Sequence, residues 1–238
     1  MLPLDRQERY RRRYAQEQPG WTTSGARLEA RVRAAALPSA RVLDIGAGRG
    51  GVLELIWADV ALAVGVDPDL ASLRGRRAPI PAAQAWGDRL PLVDGQFDLA
   101  LAVWVFEHLA DPAQTLSEIA RVLRPGGRLI FLTPNRFHPL IRANRVSQLW
   151  PDLQRRIVPA LYARAADDTF RVHYRANTVA EIVALAARTG LRLESIDVIR
   201  DPTYLALGDV AYAVACRLEA LLPASWGVHL LGVLAKPG

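Results

Sequence analysis

The 238-residue sequence has little cysteine, lysine or histidine: one, one and four residues, respectively. The single cysteine, Cys216, excludes an intramolecular disulfide and any zinc site built from several cysteines. The single lysine, Lys236, argues against a nicotinamide-dependent oxidoreductase that uses a Tyr-x-x-x-Lys pair. The histidines show no helical i, i+4 spacing and no cluster of carboxylates accompanies them, so we predict no metal site.

Long apolar runs are also missing. No uninterrupted stretch reaches the roughly 18 residues of a membrane span, and the Arg-rich start lacks the apolar segment of a secretory leader. We therefore expect a cytoplasmic protein. The apolar segment 203–222 is expected to form a long helix that packs in the core or at a dimer interface. The alternative is that this helix contacts an apolar substrate or a membrane surface.

Positive charge is present in excess, and arginine supplies nearly all of it. The net charge is +6 at neutral pH. A dense basic run near the start is typical of a solvated arm, and the alternative is a peripheral membrane or other anionic contact. The run consists of Arg6, Arg9, Arg11, Arg12 and Arg13.

Strand and helix patterns alternate from residue 41 to residue 133. The apolar runs VLDI, ALAVGV, FDLALAV and RLIFLT indicate buried strands of a parallel sheet covered by helices on both faces. Capping signals at Asp111 and Thr178 predict two of the helices. We predict one α/β domain over residues 1–238. Its parts are an N-terminal arm and helix (1–38), a cofactor-binding half (39–135), and inserted lid or substrate elements (136–176 and 203–222).

A glycine-rich turn follows the first of these strands, in the segment VLDIGAGRG. Glycine permits positive φ and lets a ligand approach the backbone, and a helix over GVLELIWA is expected to direct N–H groups towards the ligand. About 20 residues later the next strand ends at Asp67, an acid placed to bind ribose hydroxyls. These features predict an adenosine-containing ligand. The spacing Gly46-x-Gly48-x-x-Gly51 also fits a dinucleotide.

Four motifs in order narrow this choice: VLDIGAGRG, VGVD, GDRLPLVDGQFDLALAVWVFEHL and RVLRPGGRLIFLTPN. Together they closely resemble the class I S-adenosylmethionine-dependent methyltransferases, strongly over residues 40–135 and more loosely near HYRANTVAEIVALAARTGLRL. The resemblance implies a doubly wound, Rossmann-like sheet of seven strands, mostly parallel with an antiparallel last strand. It also implies S-adenosyl-L-methionine as the cofactor.

The resemblance assigns cofactor contacts as well. It places the glycine turn along the methionine part with Asp44 beneath, Asp67 at the ribose, and Asp88 at the adenine amino group. The full implied set is Asp44, Gly46, Ala47, Gly48, Gly50, Asp67, Pro68, Asp88, Arg89, Val103 and Trp104.

The catalytic and substrate residues are less defined, because methyl transfer from a sulfonium depends mainly on alignment. His108 is a candidate base or substrate ligand, and otherwise a loop histidine that holds backbone groups. The arm's Tyr14 is expected either to fold over the cofactor or to anchor the first helix. The pocket candidates are His138, His173 and Tyr174 from the insert, together with Tyr14.

The predicted acceptor is a small molecule. The segment VWVFEH after the fourth strand lacks the Asn/Asp-Pro-Pro-aromatic turn of enzymes that methylate base amino groups. The cysteine nucleophile of enzymes that methylate pyrimidine carbons is also missing, because Cys216 lies too late in the sequence and in an apolar segment. Nucleic acid is therefore disfavoured. The alternatives are a nicotinamide-dependent oxidoreductase and a non-catalytic S-adenosylmethionine-binding protein. The acceptor atom and the oligomeric state stay open.

Overall fold

A computed structural model of the protein describes residues 4–147 and 171–238. The strands are β1 (Arg41–Ile45), β2 (Leu62–Asp67), β3 (Ala82–Gln84), β4 (Phe97–Val103), β5 (Leu123–Pro134), β6 (Arg192–Ile199) and β7 (His229–Ala235). The α-helices of the described residues are α1 (Leu4–Glu17), α2 (Ser24–Ala35), α3 (Leu70–Arg74), α4 (Pro112–Val122), α5 (Pro139–Ser147), α6 (Val179–Arg188) and α7 (Asp209–Leu221).

The strands form a seven-stranded sheet in the order β3-β2-β1-β4-β5-β7-β6. The pairs β1/β2, β1/β4, β2/β3 and β4/β5 are parallel. The first residues of β5 pair with the end of β7, since Gly126 N donates to Lys236 O at 3.0 Å and Lys236 N donates to Gly127 O at 2.9 Å. The last strand is therefore antiparallel, and the predicted fold class is confirmed.

The start of β5 departs from regular pairing. Phe97 of β4 lies opposite Leu123, but Leu99 lies opposite Arg128, so the intervening residues bulge. Pro125 is in the bulge, where its missing N–H costs no ladder hydrogen bond. The side chain of Lys236 crosses this corner, with Nζ donating to Leu123 O at 2.7 Å.

The marked helices begin where their caps predict. The Asp111 carboxylate accepts from Gln114 N at 3.0 Å at the start of α4, and the Thr178 hydroxyl accepts from Glu181 N at 3.2 Å at the start of α6. Each cap satisfies an N–H that the helix itself leaves unpaired. The segment 203–222 is only partly α-helical: a 3₁₀ turn (Pro202–Leu205) precedes α7.

The expected helix after the glycine turn is wrong as an α-helix. Two 3₁₀ turns, Val52–Leu55 and Trp57–Asp59, occupy that segment. Only eight residues separate Gly51 from Val60, and a 3₁₀ turn rises about 2.0 Å per residue against about 1.5 Å for an α-helix. The tighter winding spans the distance back to β2 with fewer residues.

The described residues fall into two compact units. The sheet unit comprises residues 25–134, 172–197 and 230–238, and contains most of the sheet. The helical unit comprises the described parts of Met1–Ser24, Asn135–Arg171 and Val198–His229. Among the described helices, none is long and apolar enough to cross a membrane.

The expected polar arm is a helix, α1, within the helical unit. Ion pairs at i, i+4 support it, with Arg13 Nε 2.7 Å from the Glu17 carboxylate. Its apolar face is anchored by Tyr10, which is 1% exposed and whose ring stacks on that of Tyr212 at 5.1 Å. The sequence did not predict this buried face, because only a few residues of α1 are apolar.

Much of the basic run also contacts the helical unit. Arg6 donates to Leu207 O at 3.4 Å, Arg11 lies 3.6 Å from the Asp201 carboxylate, and Arg13 lies 3.2 Å from that of Asp209. Arg12 is 76% exposed in its side chain and pairs only loosely with Glu8 at 3.7 Å. The described contacts of this run are therefore largely within the unit.

Candidate functional site

The glycine turn between β1 and β2 depends on glycine at three positions. Gly46, Gly48 and Gly50 have φ of 72°, 49° and 121°, a region that disfavours side chains. At Gly46 a Cβ would also lie 2.5 Å from Val105 Cγ2. The turn therefore presents bare backbone at the carboxyl edge of the sheet, where doubly wound folds bind ligands.

The N–H groups of the turn are used inside the protein. Gly46 N and Ala47 N both donate to Val66 O, at 2.9 and 3.0 Å, and Gly50 N donates to Ala47 O at 3.1 Å. Gly48 N donates to the Asp67 carboxylate at 2.9 Å. Four N–H groups of the turn are thereby committed to protein acceptors.

Asp67 ends β2 and lies beside the turn. It is 5% exposed, and its other carboxylate oxygen accepts from Asp69 N at 2.8 Å. A carboxylate has about four lone-pair positions, so both oxygens retain capacity for ligand hydroxyls. The neighbouring Pro68 is held through its carbonyl, which accepts from Gln84 Nε2 at 2.9 Å.

The predicted adenine-side residues follow β3. Asp88 and Arg89 are both exposed. Backbone bonds shape the loop: Arg89 N donates to Trp86 O at 3.1 Å, and Asp88 O accepts from Gln114 Nε2 at 3.3 Å. Trp86 is 64% exposed, so this loop also presents an aromatic surface, which was not predicted from the sequence.

Val103 and Trp104 lie at the carboxyl end of β4. Trp104 has φ of 59°, an uncommon value for a residue with a side chain, and is 36% exposed. Its N–H donates to Leu132 O at 2.8 Å, so the unusual conformation is held by the neighbouring strand β5. Backbone strain of this kind often occurs at functional sites.

A polar cluster follows Trp104 in the 3₁₀ turn Phe106–His108. The Glu107 carbonyl accepts from His173 N at 2.7 Å and from Tyr174 N at 3.1 Å. His108 Nε2 lies 4.0 Å from the Glu107 carboxylate. Three candidates from two separate sequence regions, His108 and the adjacent pair His173 and Tyr174, are thus brought to the same edge of the sheet.

Glu107 was not singled out from the sequence, although it lies in the motif FEHL. It is 5% exposed, and its carboxylate accepts from the Thr133 hydroxyl at 3.1 Å. Asn177 Nδ2 donates to the same hydroxyl at 2.7 Å. Glu107 joins the end of β4, the end of β5 and the segment that carries His173.

His138 and Tyr14 lie in the other, helical unit. His138 Nδ1 accepts from Leu140 N at 3.3 Å, so Nε2 carries the proton and donates to the buried Glu219 carboxylate at 3.1 Å. Tyr14 packs edge-on against Trp21 at 5.0 Å. These contacts anchor structure within that unit. The substrate role of both residues stays a prediction.

The insert 136–176 is described only at its two ends. Its aromatic residues Trp150 and Tyr162 lie outside the described residues. Within residues 4–147 and 171–238, no group of three or more His, Cys, Asp or Glu side chains is arranged to hold a metal ion.

Asp44 lies beneath the glycine turn and is 4% exposed. Burial raises the pKa of its carboxyl to about 7; attraction to Arg76 opposes this change and repulsion from Asp67 adds to it. Arg76 follows α3 and was not predicted from the sequence, because no motif surrounds it. Its position near Asp44 appears only in three dimensions.

Comparison with known proteins shows that part of this chain is similar to methyltransferases. Residues 43–131 match the model of a family described as a methyltransferase domain. A relative named a probable S-adenosylmethionine-dependent methyltransferase, from Mycolicibacterium smegmatis, is 44% identical over 99 residues, which are 40% of this chain and 38% of the relative. The demethylmenaquinone methyltransferase of Corynebacterium kroppenstedtii is 39% identical over 101 residues, which are 41% of this chain and 44% of the relative.

The structural likeness extends over nearly the whole chain. A solved chain from the complex of the Haloferax volcanii Trm112 methyltransferase activator with a methyltransferase has a TM-score of 0.64, covering 99% of this chain and 95% of that chain. At 20% identity this likeness shows the fold alone. The chain spans 36–44% of the length of the first curated relatives it matches.

Proposed function

We propose that this chain is a class I S-adenosylmethionine-dependent methyltransferase and that it transfers a methyl group from S-adenosylmethionine to a small-molecule acceptor. The match of residues 43–131 to a methyltransferase-domain model and the likeness to the Mycolicibacterium smegmatis relative support this proposal. The enzyme's cofactor is S-adenosylmethionine. The proposal also covers the class of the acceptor and the roles of the individual site residues.

The hydrogen bonding of the glycine turn carries this proposal. A dinucleotide site directs turn N–H groups at a pyrophosphate, whereas Gly46, Ala47, Gly48 and Gly50 donate theirs to protein oxygens. The turn offers bare Cα surface and a nearby acid, Asp67. That combination suits a nucleoside ligand without phosphates and disfavours the nicotinamide alternative.

The residues present fit the cofactor in charge and in shape. A Cβ at Gly48 would meet only Gly46 O at 4.0 Å, so the turn leaves room there for the methionine part, whereas the side chain of Val105 fills the space at Gly46. Asp67 would accept the ribose hydroxyls with its free lone pairs, and the buried Asp44 would face the positive methionine ammonium. When bound, S-adenosylmethionine supplies an activated methyl group. The protein's task is then to align an acceptor with it.

We assign the acceptor side to the cluster around Glu107. Trp104, His108 and His173 are each at least partly exposed there, and Glu107 holds the segments that carry them. An exposed aromatic surface beside a few polar groups suits a small molecule with apolar and hydrogen-bonding parts. His108 is the group placed to take a proton if the acceptor must lose one.

Thermal unfolding with two ligands tests the proposal. S-adenosylhomocysteine at about 100 times its dissociation constant should add roughly 2.7 kcal/mol to the free energy of unfolding. For a chain of this size that corresponds to a rise of about 5–10 °C in Tm. NADH at equal concentration should leave Tm unchanged. A rise with NADH and none with S-adenosylhomocysteine would overturn the proposal.

Asp67→Ala is the matched variant for the same measurement. It removes a charged acceptor from two ribose hydroxyls, each hydrogen bond being worth about 1.5–3 kcal/mol. We expect affinity for S-adenosylhomocysteine to fall at least tenfold with the circular dichroism spectrum unchanged. Turnover is then sought with methyl-labelled S-adenosylmethionine and a whole-cell extract, which is separated after reaction into metabolites and macromolecules. Label found only in macromolecules would contradict the small-molecule acceptor.

A further inference from the structure

Arg76 has an unusual environment for a charged side chain. It follows the five-residue helix α3, and all three of its guanidinium nitrogens are buried. Within the part of the chain that the structure describes, none of the three has a hydrogen-bond partner. Burying such donors without partners is costly, so a side chain that only filled space would be better apolar.

The guanidinium occupies space that a missing side chain provides. A Cβ built on Gly65 would collide with Arg76 Nη1 and would lie 2.9 Å from Ala47 Cβ. Gly65 is therefore the position in β2 that admits the guanidinium. Because Ala47 belongs to the glycine turn, Gly65 neighbours both the guanidinium and that turn.

Two acids share this face of the sheet. Asp44 of β1 is the register partner of Gly65, and Asp67 lies two residues after Gly65 on β2. Side chains alternate along a strand, so Gly65 and Asp67 point to the same face, and adjacent partners in a parallel pair do so as well. Arg76 thus neighbours both carboxylates, and the three groups together leave one negative charge.

We propose that Arg76 is a positioning residue for the cofactor: its guanidinium, admitted by Gly65, keeps Asp44 ionised beneath the glycine turn so that Asp44 attracts the ammonium of the cofactor's methionine part. This inference rests on the proposed function. The residual negative charge of the group matches the single positive charge of that ammonium. Burial raises the pKa of Asp44 to about 7 even with the attraction of Arg76, so the loss of Arg76 would raise this pKa further and protonate more of the carboxyl at pH 7.5.

Two ligands that differ only in the amino-acid part test the inference. S-adenosylhomocysteine carries the ammonium, and 5′-methylthioadenosine has the same adenosine and sulfur without it. Binding of both is measured by calorimetry from pH 6 to 8.5 on the wild type, Arg76→Gln and Arg76→Lys. Arg77→Gln is the control, since Arg77 is exposed and its loss changes the net charge equally.

For Arg76→Gln we expect about tenfold weaker binding of S-adenosylhomocysteine at pH 7.5. Its affinity should rise with pH at a midpoint about one unit higher than in the wild type, because an opposite charge nearby shifts a carboxyl pKa by about 1–3 units. Affinity for 5′-methylthioadenosine should change less than about twofold. Arg76→Lys should restore most of the difference, and Arg77→Gln should match the wild type.

Equal weakening of both ligands, or an unchanged pH midpoint, would overturn the inference and leave Arg76 with a structural role. If Arg76→Gln does not fold, Arg76→Lys decides: a folded variant that has lost the preference for S-adenosylhomocysteine contradicts an effect of charge. A retained preference, with the wild-type midpoint, supports it. A wild type that binds 5′-methylthioadenosine but not S-adenosylhomocysteine also contradicts it, whereas one that binds neither refutes the proposed function.

Discussion

Asp44 is a residue at which ligand binding and stability make opposite demands. The carboxyl is buried beneath the glycine turn, and burial raises its pKa to about 7 from a usual value near 4. In the unfolded chain the carboxyl ionises at the usual value. Between about pH 4 and 7 the unfolded state therefore loses its proton first, and stability falls as the pH rises. Above pH 7 the penalty is constant.

Asp44→Asn should remove that penalty. Each unit of pKa difference corresponds to about 1.4 kcal/mol, so we expect the variant without ligand to gain up to about 4 kcal/mol at pH 8 and little below pH 4. Urea unfolding at both pH values measures this gain. The same variant should bind S-adenosylhomocysteine more weakly than the wild type at pH 8. An unchanged stability at pH 8 would contradict the burial of an ionised Asp44.

His229, in the helical unit, titrates with the opposite sign. Burial lowers its pKa to about 3, with repulsion from His138 and Arg11 adding to the effect. As the pH falls below the usual histidine pKa near 6.5, His229 binds a proton in the unfolded chain but stays neutral in the folded chain. Stability from this group is therefore present above pH 6.5 and is lost on acidification down to about pH 3.

His229→Gln should reduce this acid sensitivity. Relative to the variant, the wild type should lose about 1.4 kcal/mol per pH unit below pH 6.5. Comparing the variant with the wild type at pH 7.5, 6.0 and 5.0 isolates the histidine, because the other titrating groups are common to both. Parallel pH profiles for the two proteins would show that His229 stays accessible to protons.

At the scale of elements, α1 shows how a polar sequence becomes a packed helix. Tyr10 supplies the buried contact with Tyr212, and its hydroxyl donates to Asp209 at 3.1 Å. Ion pairs on the exposed face then add only tenths of a kcal/mol each. The aromatic contact, more than helix propensity, is what holds α1 in the helical unit.

Two variants of Tyr10 separate these contributions. Tyr10→Ala should lower the free energy of unfolding by about 3–5 kcal/mol, the cost of removing a buried aromatic side chain. Tyr10→Phe should cost only about 1–2 kcal/mol, since it loses the hydrogen bonds that the hydroxyl donates to Asp209 and accepts from Arg9. Hydrogen exchange of the α1 amides should accelerate strongly in the first variant and weakly in the second. Equal acceleration in both would assign the stability to the hydroxyl instead.

Elements differed in how well the sequence predicted them. Helices with a cap and a periodic apolar face, such as α4 and α6, were predicted with their first residues. The segment after the glycine turn carries the same apolar spacing, yet forms 3₁₀ turns because the chain must return to β2 within eight residues. That constraint comes from the sheet, and no local pattern encodes it.

At the scale of the whole molecule, the apolar runs predicted a parallel sheet covered by helices, and the resemblance to the methyltransferases predicted its seven strands and the antiparallel last strand. The sequence also predicted candidates that meet at one edge, such as Asp67 beside the glycine turn. Arg76 and Glu107 were missed, since each acts through neighbours distant in sequence. The single domain predicted for residues 1–238 stays a proposal beside the two compact units.

The corner at Lys236 has a consequence for work with this protein. Its Nζ is the only side-chain amine in the sequence and is held by the Leu123 carbonyl. Among side chains, succinimidyl dyes, aldehyde fixatives and amine-coupled sensor surfaces can react only with this lysine. Reagents that link pairs of lysines can form no bridge between two lysine side chains within this chain. Carboxyl-directed chemistry offers far more positions for labelling and crosslinking, since the sequence has 24 Asp and Glu residues.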